Sequence, residues 1–132
     1  MAESLRDYLR RRAEFRCEYC HLAEQDAPSV EFHVEHVRAR QHGGNDLDSN
    51  LAYSCQRCNS QKGPNQSGFD PETNTLIRLF HPRIDYWHEH FQMLGPVVVG
   101  ITAEGRATVE LLQMNDERRV QLRATISDSD LP

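Results

Sequence analysis

The chain has no apolar run able to cross a membrane, since its longest, Val97-Val98-Val99, is three residues where about twenty are needed. Its opening stretch, Met-Ala-Glu-Ser-Leu-Arg, carries no apolar h-region, so the expectation is a soluble, cytoplasmic protein without an export signal. Internal repeats, coiled-coil heptads and a linker that would split off a second domain are also missing, and a single domain over residues 1–132 follows. A surplus of positive charge is absent too, with 15 Lys+Arg against 20 Asp+Glu giving a net charge of −5. That balance argues against a strongly basic nucleic-acid binder. The deficit is uneven: residues 1–62 hold 9 basic and 10 acidic side chains, residues 63–132 hold 6 and 10. A local basic face therefore remains open around Arg10-Arg11-Arg12, Arg16, Arg38, Arg40, Arg57 and Lys62.

Cysteine is scarce but patterned. The four thiols fall in two identical pairs, Cys17-Glu18-Tyr19-Cys20 and Cys55-Gln56-Arg57-Cys58. Such a pair presents both thiolates to one ion, and two pairs complete a tetrahedral zinc site. In a reducing compartment this outweighs a disulfide framework.

Hydrophobic periodicity places these motifs. Residues 3–15 read as an amphipathic helix capped by Ser4, with Leu5, Tyr8, Leu9 and Phe15 as its apolar stripe. Residues 30–37 alternate with period two and read as a strand, followed by a Gly43-Gly44 loop over 41–46, a second strand at 51–54 and a short helix from Cys55 to Lys62. Beyond residue 64, Asp70 to Asn74 reads as a turn feeding a strand at 75–80, and Phe91–Met93 and Val97–Ile101 as a hairpin. A helix capped by Thr102 is expected to run through Met114, with Gly105 weakening it. A last helix spans 116–126, and residues 127–130 are expected to fray.

Between the cysteine pairs lie Glu35-His36, Gly43-Gly44 and Asn50-Leu51, and Asn59 and Lys62 follow the second pair; His36 to Asn50 is fourteen positions and Asn50 to Asn59 nine. This ordered set resembles the HNH endonuclease family. The resemblance implies an α+β fold: a ββα-metal core at 17–64 with a four-cysteine zinc clamp, an N-terminal helix at 3–15 and a small α/β extension at 65–132. It further implies metal-dependent hydrolysis of DNA. His36 would be the general base, Glu35 and Asn59 would hold Mg²⁺ or Mn²⁺, and Asn50 would tie the loop that aims His36. Cys17, Cys20, Cys55 and Cys58 would hold a structural Zn²⁺. Lys62, Arg57, Arg38, Arg40 and His42 would face substrate phosphates. Glu35 stands where many members have Asp, and Asn59 where many have a third His. Beyond the core, Asp70-Pro71-Glu72-Thr73, Leu79-Phe80, Pro82-Arg83, Trp87 with His90-Phe91, and Gly105-Arg106-Ala107-Thr108 resemble the C-terminal extension of certain small stand-alone bacterial members, with no chemistry attached.

The competing reading is a non-catalytic zinc-ribbon module that binds nucleic acid or a protein. His33, on the same strand face as Glu35, is weighed as a metal ligand and read first as structural, as is His88-Glu89-His90. His21 follows the first knuckle, where four thiolates already close the site. Double-strand cleavage by one active site per chain would need two binding events or a homodimer.

Overall fold

A computed structural model of the protein describes residues 2–126 and 128–132. Its centre is a hairpin followed by a helix: β1 (Phe32–His36) pairs antiparallel with β2 (Leu51–Cys55), and β2 runs directly into α2 (Gln56–Lys62). The pairing sets Phe32 opposite Cys55 and His36 opposite Leu51. All five residues of β2 are buried, because other elements cover both faces of this strand. Phe32 stacks on Tyr53 with ring centroids 5.3 Å apart. This is the expected strand, loop, strand, helix order, and the mixed α/β fold agrees with the ββα-metal reading.

Helix α1 (Leu5–Arg12) starts where Ser4 accepts a hydrogen bond from the Asp7 amide at 3.1 Å. Only Leu9 of its expected stripe is fully buried; Leu5 and Phe15 stay exposed. Phe15 leaves the stripe because the helix ends early, Glu14 and Phe15 both taking left-handed backbone angles. The arginine run finds partners within the chain. Arg10 pairs with Glu24 and Arg11 with Glu3, while Arg12 donates to the carbonyls of Asp48 and Leu51 at 3.0 and 2.6 Å. Arg12 thereby fastens α1 to the start of β2.

The extension contains two more hairpins, β3 (Ser67–Phe69) with β4 (Leu76–Arg78) and β5 (Phe91–Leu94) with β6 (Val97–Gly100), separated by the short helix α3 (Trp87–His90). The sequence reading contains β4, β5 and β6 and misses β3 and α3. Helix α4 (Ala103–Leu111) packs on β6 and β3, and α5 (Glu117–Ala124) follows. Thr102 and Asp116 cap these helices through Gly105 and Arg118 amides. Helix α4 forms across Gly105 despite its low helix propensity. A Cβ there would lie 2.1 Å from the His90 carbonyl oxygen, so the glycine is what lets α4 close on α3. Of the segment expected to fray, Asp128–Asp130 forms a 3-10 turn and Ser127 lies outside the described residues.

The extension motifs without assigned chemistry now have structural work. Asp70, fully buried, accepts two hydrogen bonds from Arg106 at 2.9 and 2.8 Å and caps its own turn through the Glu72 amide and Thr73 hydroxyl. Thr108 accepts from the Phe80 amide at 2.9 Å. The indole of Trp87 donates to the Tyr19 carbonyl at 2.7 Å, inside the first cysteine knuckle. One apolar core, from Cys17 through Tyr53 and Trp87 to Met114, thus continues from the knuckles into the extension. No helix of the described residues is long and apolar enough to cross a membrane.

Candidate metal centres and active site

The two knuckles converge. The ligand atoms of Cys17, Cys20, Cys55 and Cys58 all lie within 4.8 Å of one another, and all four residues are buried and free of disulfides. Cys20 and Cys55 sulfurs are 3.9 Å apart, matching the roughly 3.8 Å edge of a tetrahedron built on zinc–sulfur bonds of about 2.3 Å. Each knuckle turns its amides onto sulfur: Tyr19 and Cys20 donate to Cys17 at 3.4 and 3.5 Å, and Cys58 donates to Cys55 at 3.4 Å. These bonds favour thiolate over thiol. Hydrogen bonds from Cys17, Cys55 and Cys58 push Cys20 well below the usual thiol range, whereas burial pushes Cys17 and Cys58 well above it. Four sulfurs this close do not ionise together without a cation, and a thiophilic divalent ion fits them.

A residue of the extension completes this cluster. Arg119, from α5, donates to Cys58 Sγ at 2.9 Å and to the carbonyls of Leu112 and Gln113, and is 5% exposed. Burial works against its charge, but Cys58, Cys20 and Cys55 outweigh it and hold the guanidinium above its ordinary range. A net negative thiolate cluster is the partner such a buried cation needs. His21 is not a fifth ligand: it stacks on Trp87 with centroids 4.3 Å apart, and burial lowers its pKa to about 4.

The second centre grows from the end of β1. Alternation along the strand sends Glu35 inward and His36 toward the loop that follows. Glu35 is 5% exposed and receives the Tyr19 hydroxyl at 2.6 Å and an ion pair from Lys62 Nζ at 2.7 Å. Burial raises its pKa, with Lys62 and Tyr19 opposing. Oε1 is the oxygen that meets Lys62 and Oε2 the one that accepts from Tyr19, so a cation at this carboxylate would share Oε1 with the lysine. Asn59 sits half-buried on α2, one turn before Lys62 and so on the same side of the helix.

Lys62 corrects the sequence reading. The only lysine of the chain was expected to reach phosphate beside Arg57, yet it is 1% exposed, donating to the Val37 carbonyl at 2.8 Å and pairing with Glu35. Its position four residues after buried Cys58 turns it toward β1. Arg57 faces elsewhere, onto a groove between α2 and α5 with Gln61, Asp116 and Arg118. Removing one partner of a buried pair strands the other charge. Lys62→Met should therefore destabilise the fold by about 3–5 kcal/mol, and urea melts beside Lys62→Arg check it; a wild-type midpoint would contradict the inward-facing pair.

The loop from 38 to 50 is tied at its base. Asn50 Oδ1 accepts from the Arg38 amide at 2.9 Å, and its Nδ2 donates to the carbonyls of Arg38 at 3.0 Å and Asn45 at 2.8 Å. The Asn50 carbonyl accepts from the Val37 amide. Arg38 also donates to the His42 carbonyl at 2.6 Å. Gly44 permits this closure, because a Cβ there would sit 1.7 Å from the Arg38 carbonyl oxygen. These are the backbone hydrogen bonds expected of Asn50. Arg38, Arg40 and His42 are exposed on the loop.

His36 meets a partner that the sequence reading treated as loop. Its Nε2 lies 2.7 Å from Asp46 Oδ1, and Asp46 is held in turn by Arg40 at 3.0 Å. The hydrogen bond from His36, and then Arg40, keeps the Asp46 carboxyl below its usual range. An ionised carboxylate only accepts, so Nε2 carries a proton, and in the neutral ring this leaves the lone pair on Nδ1. The acid two residues after Gly-Gly was the available signal. Tyr19 and Arg119 offered none, being 16 and 61 residues from the groups they bind.

His33 pairs loosely with Glu31 at 3.6 Å rather than with Glu35. His88 packs edge-on against Trp87, and His90 hydrogen-bonds Thr102 at 2.6 Å. Among the described residues the four cysteines are the one His/Cys/Asp/Glu group assembled for a metal.

Comparison with known proteins gives two likenesses in sequence. Residues 17–65 match the HNH endonuclease family model. The chain is also 29% identical over 107 residues to the Septu protein PtuB of Bacillus thuringiensis, covering 80% of this chain and 38% of that protein. The likeness thus extends beyond residues 17–65, while the chain spans well under half of the relative's length. No solved structure matches.

Proposed function

Residues 17–65 carry an HNH endonuclease domain, and from that premise we propose that the chain hydrolyses phosphodiester bonds of DNA, with His36 as general base and Glu35 and Asn59 holding one divalent ion, Mg²⁺ or Mn²⁺. The observation that carries this reading is the held imidazole: His36, at the end of β1 and next to the buried carboxylate of Glu35, bonds through Nε2 to Asp46 on a loop pinned by Asn50. A neutral imidazole takes a proton from water near pH 7, and its Nδ1 is the atom available to do so. The bound cation supplies Lewis-acid neutralisation of the phosphate and of the departing 3′ oxygen.

The rest of the chain positions these groups. Tyr19 and Lys62 fix the Glu35 carboxylate from two sides, so its orientation depends on the first knuckle and on α2 together. We assign Zn²⁺ to the four cysteines, since a closed thiolate set is structural and leaves no position for substrate. Arg38 and Arg40 are the exposed cations nearest His36 in the chain and serve as phosphate contacts, with His42 at the tip of the same loop. The acidic remainder of the surface keeps non-specific binding weak, and a homodimer would supply the second active site that double-strand cleavage needs.

Burial of Glu35 against Lys62 favours one other reading, a zinc-braced binding module without catalysis. A panel of supercoiled plasmid, linear duplex, branched and single-stranded DNA, and RNA, incubated with Mg²⁺ or Mn²⁺, separates the two. Metal-dependent cleavage of DNA with 3′-hydroxyl and 5′-phosphate ends is expected. Tight binding without cleavage under either ion would replace the nuclease with the binding module.

A further inference from the structure

The loop between the glycines and Asn50 holds an acid that neither the sequence reading nor the family match assigns. We propose that Asp46 is a positioning residue for the proposed hydrolysis: clamped by Arg40, it holds His36 as the Nε2–H tautomer with Nδ1 turned to the attacking water.

This inference rests on the nuclease reading and deepens it. The geometry is a three-part chain. Arg40 approaches Asp46 Oδ1 through both Nε and Nη2 at 3.0 Å, and the same oxygen takes the His36 Nε2 proton at 2.7 Å. The loop around Asp46 is built to keep it there. Asn45 accepts from the Leu47 amide at 3.1 Å, forming an Asx turn across Asp46, and offers its carbonyl to Asn50 at 2.8 Å. Asn50 therefore aims His36 indirectly, by fixing the segment that carries the acid as well as the strand end that carries the base. A free imidazole divides between two tautomers and rotates about its side-chain bonds; one ionised acceptor selects a tautomer and one ring orientation. The principle is that of the acid which orients histidine in a catalytic triad. Arg40 then has a role besides phosphate contact, since it restrains the acid on its open side.

Asp46 is 68% exposed, so its substitution removes the hydrogen bond without opening the core. Asp46→Ala should lower kcat by about ten- to a hundredfold while KM stays unchanged, the loss expected when a reacting group is misoriented. Asp46→Glu, which keeps an acceptor carboxylate, should recover part of that loss. Long-range proton–nitrogen NMR of the full chain should show the His36 ring as the Nε2–H tautomer in wild type and as a mixture in Asp46→Ala. Unchanged kcat in Asp46→Ala, or an unchanged tautomer signature, overturns the proposal. Should wild type cleave nothing, the nuclease reading fails by itself and the NMR arm still decides whether Asp46 sets the ring.

Discussion

Cys58→Ser is expected to lose the bound zinc and with it cooperative folding at 37 °C, a larger stability effect than any surface substitution in this chain would produce. The four sulfurs lie within 4.8 Å of one another in a fully buried cluster, so the ion they bind stabilises the folded state and not the unfolded one. Structural zinc sites in small peptides bind with about 10–16 kcal/mol, comparable to or above the roughly 5–15 kcal/mol by which a domain is stable at all. Cys58 carries a second burden. It accepts from Arg119, whose guanidinium would stay buried after the change without its strongest anionic partner. The knuckle also supplies Tyr19 to Glu35 and the Tyr19 carbonyl to Trp87, so damage there spreads to the second centre and to the extension. Metal analysis and thermal melts, with and without chelator, check this. Protein that holds no zinc and melts identically in chelator would contradict it. Glu35→Ala, by contrast, should keep its zinc.

His36→Ala should lower the rate of DNA cleavage by about 10²–10⁴-fold, the usual contribution of a positioned general base. No nearby side chain substitutes. His33 is turned toward Glu31, and His42, exposed on the loop, is linked to Arg38 through its backbone carbonyl. His36 packs little of the core, so the variant should retain its zinc and its melting temperature; the loss should appear in turnover alone. A variant that cleaves at the wild-type rate would place the base elsewhere.

The readable part of this molecule is the part whose partners lie close in sequence or repeat at fixed spacing. Paired cysteines predicted the cluster, period-two alternation predicted β1, and the cap at Ser4 stands where it was expected. Asn50, with a side chain able to donate and accept at once, forms the loop ties expected of it. The failures share a physical cause. Whether an arginine or lysine meets solvent or protein depends on what packs across from it, and composition does not encode that. Arg10, Arg11 and Arg12 found intramolecular acceptors, Arg119 found a thiolate, and Lys62 turned inward because α2 sets it on the face that meets β1. Asp46 escaped notice because its neighbours read as a flexible loop, when Asn45, Gly44 and Asn50 make that loop closely bonded. The extension motifs were visible as sequence, but their purpose appears only where Asp70 meets Arg106 and Trp87 meets the knuckle.

A structural ion in the cysteines and catalysis at His36 are the two halves of one claim. Its most direct test is single-turnover nicking of supercoiled plasmid with Mg²⁺ or Mn²⁺ by zinc-loaded wild type and zinc-loaded His36→Ala side by side. Cleavage by wild type and its loss in the variant, at equal zinc content, is the expected result; equal cleavage by both would contradict it.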